Sequence, residues 1–230
     1  MNSADFRAQL EGDLAWRLDE LRLLRNQLSN IPVESDRLRY RKAIILVLYS
    51  HFEGFCKTAF GTYANAVNEQ KIRCEDASPF LVAASLDRVF KALSDPNKKA
   101  DIFRRAAPDD APLHRFARQV EFIEGIADVN STTVSLNVDE VIDMESNLKP
   151  IVLRKILFRL GLAHDQFAAD EGAISRLLGT RNNIAHGAER GGIDQDELDA
   201  LEALTLRVQT RIMIGLTDAL SHRKYLKAAA

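Results

Sequence analysis

Apolar residues recur every three or four positions over most of this chain, and that period dictates helices. From Leu10 the repeat runs through Leu14, Leu18, Leu21 and Leu24 to Leu28, one face of an amphipathic helix, and Ser29-Asn30-Ile31-Pro32 ends it. A second segment covers about residues 35–69. It opens on polar Asp36-Arg37-Leu38-Arg39-Tyr40-Arg41-Lys42 and continues through Ala43, Ile44, Ile45, Leu46, Val47, Leu48, Tyr49, Phe52 and Phe55. Apolar on nearly every side, such a helix must be covered by several neighbours. Helical pattern returns from Pro150, a good first-turn residue, to Leu162, and again from about Glu171 to His186, where Gly187 suits a C-cap. Asp194 with Glu197 three residues on resembles a capping box, opening a last helix striped by Leu198, Leu201, Leu204, Val208, Ile212 and Leu216.

Only 11 glycines and 6 prolines interrupt the 230 residues, and four prolines (Pro79, Pro96, Pro108, Pro112) fall in the stretch between the two helical regions. Within that stretch Thr133-Val134-Ser135-Leu136-Asn137-Val138 alternates with period two, which predicts a short extended segment or edge strand. The architecture expected is a single all-α domain over residues 1–230. Core helices occupy about residues 3–70 and 150–222 as an antiparallel bundle, with an irregular insertion at about 71–149 between the two pairs.

Several function classes are disfavoured. No G-x-x-x-x-G-K-[ST] occurs, and Gly187, Gly191 and Gly192 follow a helix rather than a strand, so neither a P-loop nor a dinucleotide fingerprint is present. The histidines His51, His114, His164, His186 and His222 form no HExxH, and Cys56 and Cys74 form no CxxC, so neither a metal nor another cofactor is expected. The acidic run Asp194–Asp199 reads best as a first helical turn complementing the helix dipole. Residues 1–27 mix charges without an apolar core, and the longest apolar run, Ala43–Tyr49, is far short of the roughly 18 residues of a membrane span. A cytoplasmic protein without membrane contact is the expectation.

One polar constellation stands out: Leu177-Leu178-Gly179-Thr180-Arg181-Asn182-Asn183-Ile184-Ala185-His186-Gly187, at the end of a core helix. Asn182 and His186 are four apart and share a face, while Arg181 lies about 140° round from His186. Arg181-Asn182-x-x-x-His186 resembles the motif of the HEPN superfamily (higher eukaryotes and prokaryotes nucleotide-binding domains), whose ribonucleases carry Arg, four to six residues, then His, usually with a polar residue after the Arg. Arg159…His164 has the same spacing, but Leu160 follows that arginine, so it reads as structural. Tyr49-Ser50-His51-Phe52-Glu53-Gly54-Phe55 is similar to the aromatic and acidic second-helix segment of a cyanobacterially named HEPN subgroup. The resemblance covers roughly residues 3–70 and 165–220.

It implies an HEPN-like bundle and a metal-independent endoribonuclease in a toxin–antitoxin or antiphage setting, with Arg181, Asn182 and His186 as catalytic residues. It also implies a homodimer whose two motifs share one composite site, and an antitoxin or defence-operon protein as partner. The alternative is a non-catalytic HEPN module that binds RNA, a nucleotide or a protein. Chemically, a guanidinium suits a phosphate gaining charge and an imidazole suits proton transfer near neutrality. His186 before Gly187 is also a common helix-capping arrangement. Asn182 either sets the imidazole tautomer or binds a phosphate or ribose oxygen. Glu53 is either a supporting site residue or a buried carboxylate paired with an arginine; Tyr49 and Ser50 read as packing residues. In some HEPN toxins a Tyr two residues after the His accepts a nucleotide, but Ala188 stands there.

The net charge of -2 conceals asymmetry. Residues 36–74 carry Arg37, Arg39, Arg41, Lys42, Lys57, Lys71 and Arg73 against Asp36, Glu53 and Glu69, whereas residues 188–200 carry Arg190 against Glu189, Asp194, Asp196, Glu197 and Asp199. RNA contact is therefore expected at Arg37, Arg39, Arg41 and Lys42, with Tyr40 stacking on a base.

Overall fold

The computed structural model describes residues 1–95 and 97–228. Among them are nine α-helices and no strand: α1 (Ser3–Ser29), α2 (Glu34–Glu69), α3 (Pro79–Ser85), α4 (Asp87–Ser94), α5 (Ala111–Val129), α6 (Val138–Val141), α7 (Pro150–Arg159), α8 (Glu171–Ala185) and α9 (Gln195–Ser221). The all-α reading holds.

The starts of α1, α5 and α9 follow local side-chain chemistry. Asn2 accepts the Asp5 amide at the head of α1, Asp110 accepts the Leu113 amide at the head of α5, and Asp194 accepts the Glu197 amide at the head of α9. The capping box at α9 is only half formed. The Glu197 carboxylate does not fold back on its own helix but meets Arg176 at 3.2 Å, tying α9 to α8.

Helix α2 is the centre. Ile44, Ile45, Leu48, Tyr49, Phe52, Phe55, Phe60 and Tyr63 are fully or almost fully buried, and α1, α8 and α9 pack around them. Only a narrow strip, including Ala43, Leu46 and Ser50, faces outward, so Ser50 is a surface residue and not the packing residue its sequence context predicts. The apolar stripe of α9 is buried throughout.

The insertion departs from the irregular segment expected. It holds α3 to α6, and α5 is 19 residues long. That helix packs on α4 and on the 3-10 turn Asp101–Phe103, burying His114, Ala117 and Arg118, while Phe116, Val120, Ile123 and Ile126 face outward. The spacing of Phe116, Val120, Ile123 and Ile126 is itself helical, although the stripe they form lies on the outer face.

The period-two segment is extended, but no strand forms. Val134 and Leu136 point inward, as the alternation requires, yet pairing stops at one bridge between Arg73 and Thr133. The Asn68 side chain then takes over, accepting the Leu136 amide at 2.8 Å and donating to its carbonyl at 3.0 Å. A side chain on α2 thus satisfies the backbone that a second strand would otherwise have paired.

His51, on the α1 side of α2, packs edge-on against Trp16. Its Nε2 lies 2.9 Å from Glu20 Oε2 but off the line of a hydrogen bond. Burial outweighs the pull of Glu20 and lowers the imidazole pKa below its ordinary value. The unfolded chain therefore takes up the proton more readily, so the stability present above about pH 6.5 is lost as pH falls through the depressed folded-state value. Thermal melts on either side of about pH 6 should show this loss, with a shallower slope for His51→Gln.

Candidate active site

Leu177 and Leu178 anchor α8 in the core; beyond them the helix emerges with Arg181 and Asn182 half-buried and His186 exposed. The end is orderly. The amide of His186 donates to the Asn182 carbonyl at 2.9 Å, that of Gly187 to Ile184 at 3.1 Å, and that of Glu189 to Asn183 at 3.0 Å. Gly187 has φ 73°, the left-handed conformation that ends helices. The Asn182, Asn183 and Ile184 carbonyls of α8 are thus satisfied by backbone, and among the described residues no hydrogen bond engages the His186 ring.

Arg181 is held from two directions. Its Nη1 donates to Asn182 Oδ1 at 2.8 Å, and its guanidinium carbon sits 4.4 Å from the centroid of the Tyr49 ring. Among the described residues no carboxylate pairs with it, so its charge is not neutralised by an ion pair. Asn182 spends its carboxamide oxygen on Arg181 and makes no bond to the imidazole; of its expected roles, setting the tautomer does not occur in this geometry.

Glu53 is half-buried on α2, and its partner is a tyrosine where an arginine was expected. Tyr49 Oη donates to Glu53 Oε2 at 2.7 Å, and the Leu148 amide, at the end of the insertion, is shared between Tyr49 Oη at 2.9 Å and Glu53 Oε2 at 3.1 Å. Burial first, and then the Glu53 carboxylate, pushes the Tyr49 hydroxyl far above its ordinary pKa, so it stays protonated as the donor. The four-residue spacing of Tyr49 and Glu53 on one helix face makes their bond findable in sequence. Arg181 and Leu148 come from distant parts of the chain, and no local pattern joins them to Tyr49.

Part of the basic opening of α2 is turned into the fold. Arg41 is 4% exposed and lies within the fold: Nη1 bonds Glu34 and the Ile193 carbonyl, and Nε bonds Gln195. Its place in an exposed RNA-binding patch is thereby corrected. Lys42 donates to the Glu189 carbonyl, Arg37 to the Ile31 carbonyl, and Tyr40 packs against the core. Arg39 remains exposed, 3.7 Å from Asp36. Two of these contacts, Arg41 to the Ile193 carbonyl and Lys42 to the Glu189 carbonyl, fasten the loop after His186. The loop also touches α2 at Gly192, where φ is 111° and an added Cβ would come within 2.8 Å of the Leu38 backbone carbonyl. Arg159 donates to the Glu140 carbonyl and His164 packs on Phe158, both away from α8.

A groove of about 510 Å³ between α1, α2 and α9, lined by Leu18, Leu48, Leu206 and Gln209, includes none of the motif residues. Among the described residues no group of three or more His, Cys, Asp or Glu is placed to hold a metal ion, and no helix is long and apolar enough to cross a membrane.

A four-helix core with an arginine, a carboxamide and a free imidazole at one helix end defines a helical domain of the HEPN class. A family model, HEPN_MAE_28990-like HEPN, matches residues 6–225, and the chain belongs to that family. The match runs through the insertion as well, extending the likeness beyond the two helical regions that carry it in sequence. No curated protein and no solved structure matches.

Two substitutions check that the loop after His186 is anchored on α2. Gly192→Ala should lose about 1–3 kcal/mol in denaturant unfolding, because the left-handed backbone and the Leu38 contact both resist a Cβ. Arg41→Ala should lose about 2 kcal/mol, whereas Arg39→Ala should change stability by less than about 0.5 kcal/mol.

Proposed function

We propose that this protein is a metal-independent endoribonuclease that cuts cytoplasmic RNA by 2′-hydroxyl attack on the adjacent phosphate. The observation that carries this reading is the Arg181–Asn182 pair and the exposed His186 ring that follows on the same helix: among the described residues no carboxylate pairs with Arg181 and no hydrogen bond engages the His186 ring. In-line cleavage removes a proton from the 2′-oxygen, forms its bond to phosphorus, and breaks the bond to the 5′-oxygen, which takes up a proton. The products are a 2′,3′-cyclic phosphate and a 5′-hydroxyl. Arg181 supplies the donors and charge for the phosphate oxygens, and His186 moves one of the two protons. The Asn182 amide nitrogen contributes a further donor.

One chain offers one such histidine, while the reaction uses both a base and an acid. A second copy with its motif facing the first supplies the other imidazole, and the open setting of α8's end leaves room for that pairing. The biological setting proposed is a toxin or antiphage effector restrained by a protein partner.

The same exposure favours one competing reading, a binding module that holds RNA without cutting it. The two part experimentally. Purified protein in EDTA should convert RNA to fragments with 2′,3′-cyclic phosphate ends, and His186→Ala should be slower by about 10²–10⁴-fold. RNA binding without cleavage, unchanged in His186→Ala, would establish the binding module instead. A monodisperse monomer cleaving at full rate would remove the composite site. Induced expression should arrest growth with the wild type and not with His186→Ala.

A further inference from the structure

We infer that Tyr49 is the positioning residue for Arg181, and that Glu53 acts through Tyr49 rather than on RNA. This deepens the nuclease reading of the site and rests on it.

An arginine that must meet a phosphate in one orientation has a long stem whose rotamer freedom costs up to about 2 kcal/mol to fix. A carboxylate partner would fix it but would cancel the charge that a phosphate gaining negative charge requires. The structure holds Arg181 in another way. The guanidinium lies on the face of Tyr49, 4.4 Å from the ring centroid, while Asn182 Oδ1 takes one edge through Nη1. Cation–π attraction fixes the group without neutralising it. The other N–H groups of the fork stay available for phosphate oxygens.

The ring that forms this seat is itself fixed. Tyr49 is 2% exposed, on the most buried helix of the protein. Its hydroxyl is fastened by donating to Glu53 and by accepting the Leu148 amide. A phenol donating to a carboxylate is polarised toward the ring, which strengthens the negative face that the guanidinium feels. Glu53 contacts the hydroxyl of Tyr49 while Arg181 lies over the ring face, so the carboxylate contributes at one remove. Leu148, completely buried just before α7, donates the amide that holds the hydroxyl. The end of the insertion is therefore built into the support of the site.

Three variants and one spectrum test this. In single-turnover cleavage, Tyr49→Leu should lower the rate constant by about 10–100-fold with KM within about 3-fold, as expected when an interaction made mainly in the transition state is lost. Tyr49→Phe keeps the ring and should stay within about 5-fold of the wild type, and Glu53→Gln should lose no more than about 10-fold. Equal losses in Tyr49→Phe and Tyr49→Leu, or a Glu53→Gln loss as deep as that of His186→Ala, would overturn the assignment. The Nε–Hε resonance of Arg181, identified by its disappearance in Arg181→Lys, gives a readout independent of activity. It should be shifted upfield by the ring in the wild type and in Tyr49→Phe, and return to the ordinary arginine position in Tyr49→Leu. An unshifted wild-type resonance would sink the inference. Absence of RNA cleavage by the wild type with the shift intact would instead sink the nuclease reading and leave the Tyr49 seat standing. Should Tyr49→Leu fail to fold, Tyr49→Phe, Glu53→Gln and the wild-type spectrum still decide.

Discussion

Helix α2 sets the geometry of this protein because almost none of its circumference can face water. A run from Ile44 to Tyr63 that is apolar nearly all round is stable only inside a ring of other helices, and α1, α8 and α9 supply that ring. The rest of the architecture adapts to this demand. The extended segment before α6 bonds to Asn68 of α2 in place of a second strand. Because α8 packs directly on α2, Arg181 near its end comes to lie over Tyr49.

Charge is distributed according to the same demand. The basic opening of α2 works inward: Arg41 and Lys42 hold backbone carbonyls of the loop that follows His186, and Gly192 lets that loop approach Leu38. These residues secure the polypeptide just after the motif, so their role in the site is to hold its frame. Arg181, by contrast, is held by a ring face and a carboxamide, two partners that carry no charge. The basic residues of the α2 opening thus dock on backbone carbonyls, while the acidic side chains Asp199 and Glu197 pair with Arg25 of α1 and Arg176 of α8.

Much of the fold was legible in the order of residues. The spans of α1, α2, α7, α8 and α9 follow from apolar period and from Asn, Asp, Pro and Gly at their ends, all of which act over a few bonds. Helix α5 carries the same period at Phe116, Val120, Ile123 and Ile126, but Pro96, Pro108 and Pro112 before and at its start mark the stretch as irregular. The strand expected near Thr133 is only an extended segment, since strand formation needs a paired neighbour and period two states only which side chains turn inward. At the site, the spacing of Arg181, Asn182 and His186 identified the helix end. Tyr49 read as a packing residue because its second role depends on a residue 132 positions further along the chain.

The sequence by itself determined the all-α class, the central place of α2, the Asp194 cap of α9, the Gly187 end of α8 and the grouping of Arg181, Asn182 and His186, because each of these is local in the chain. Only the tertiary structure decided that Arg41 is buried, that Glu53 bonds a tyrosine, and that Arg181 rests on a Tyr49 whose hydroxyl accepts the Leu148 amide. Those outcomes depend on which helices come together in space. A guanidinium reads the same in sequence whether it faces solvent, a carbonyl or an aromatic ring, and only packing distinguishes the three.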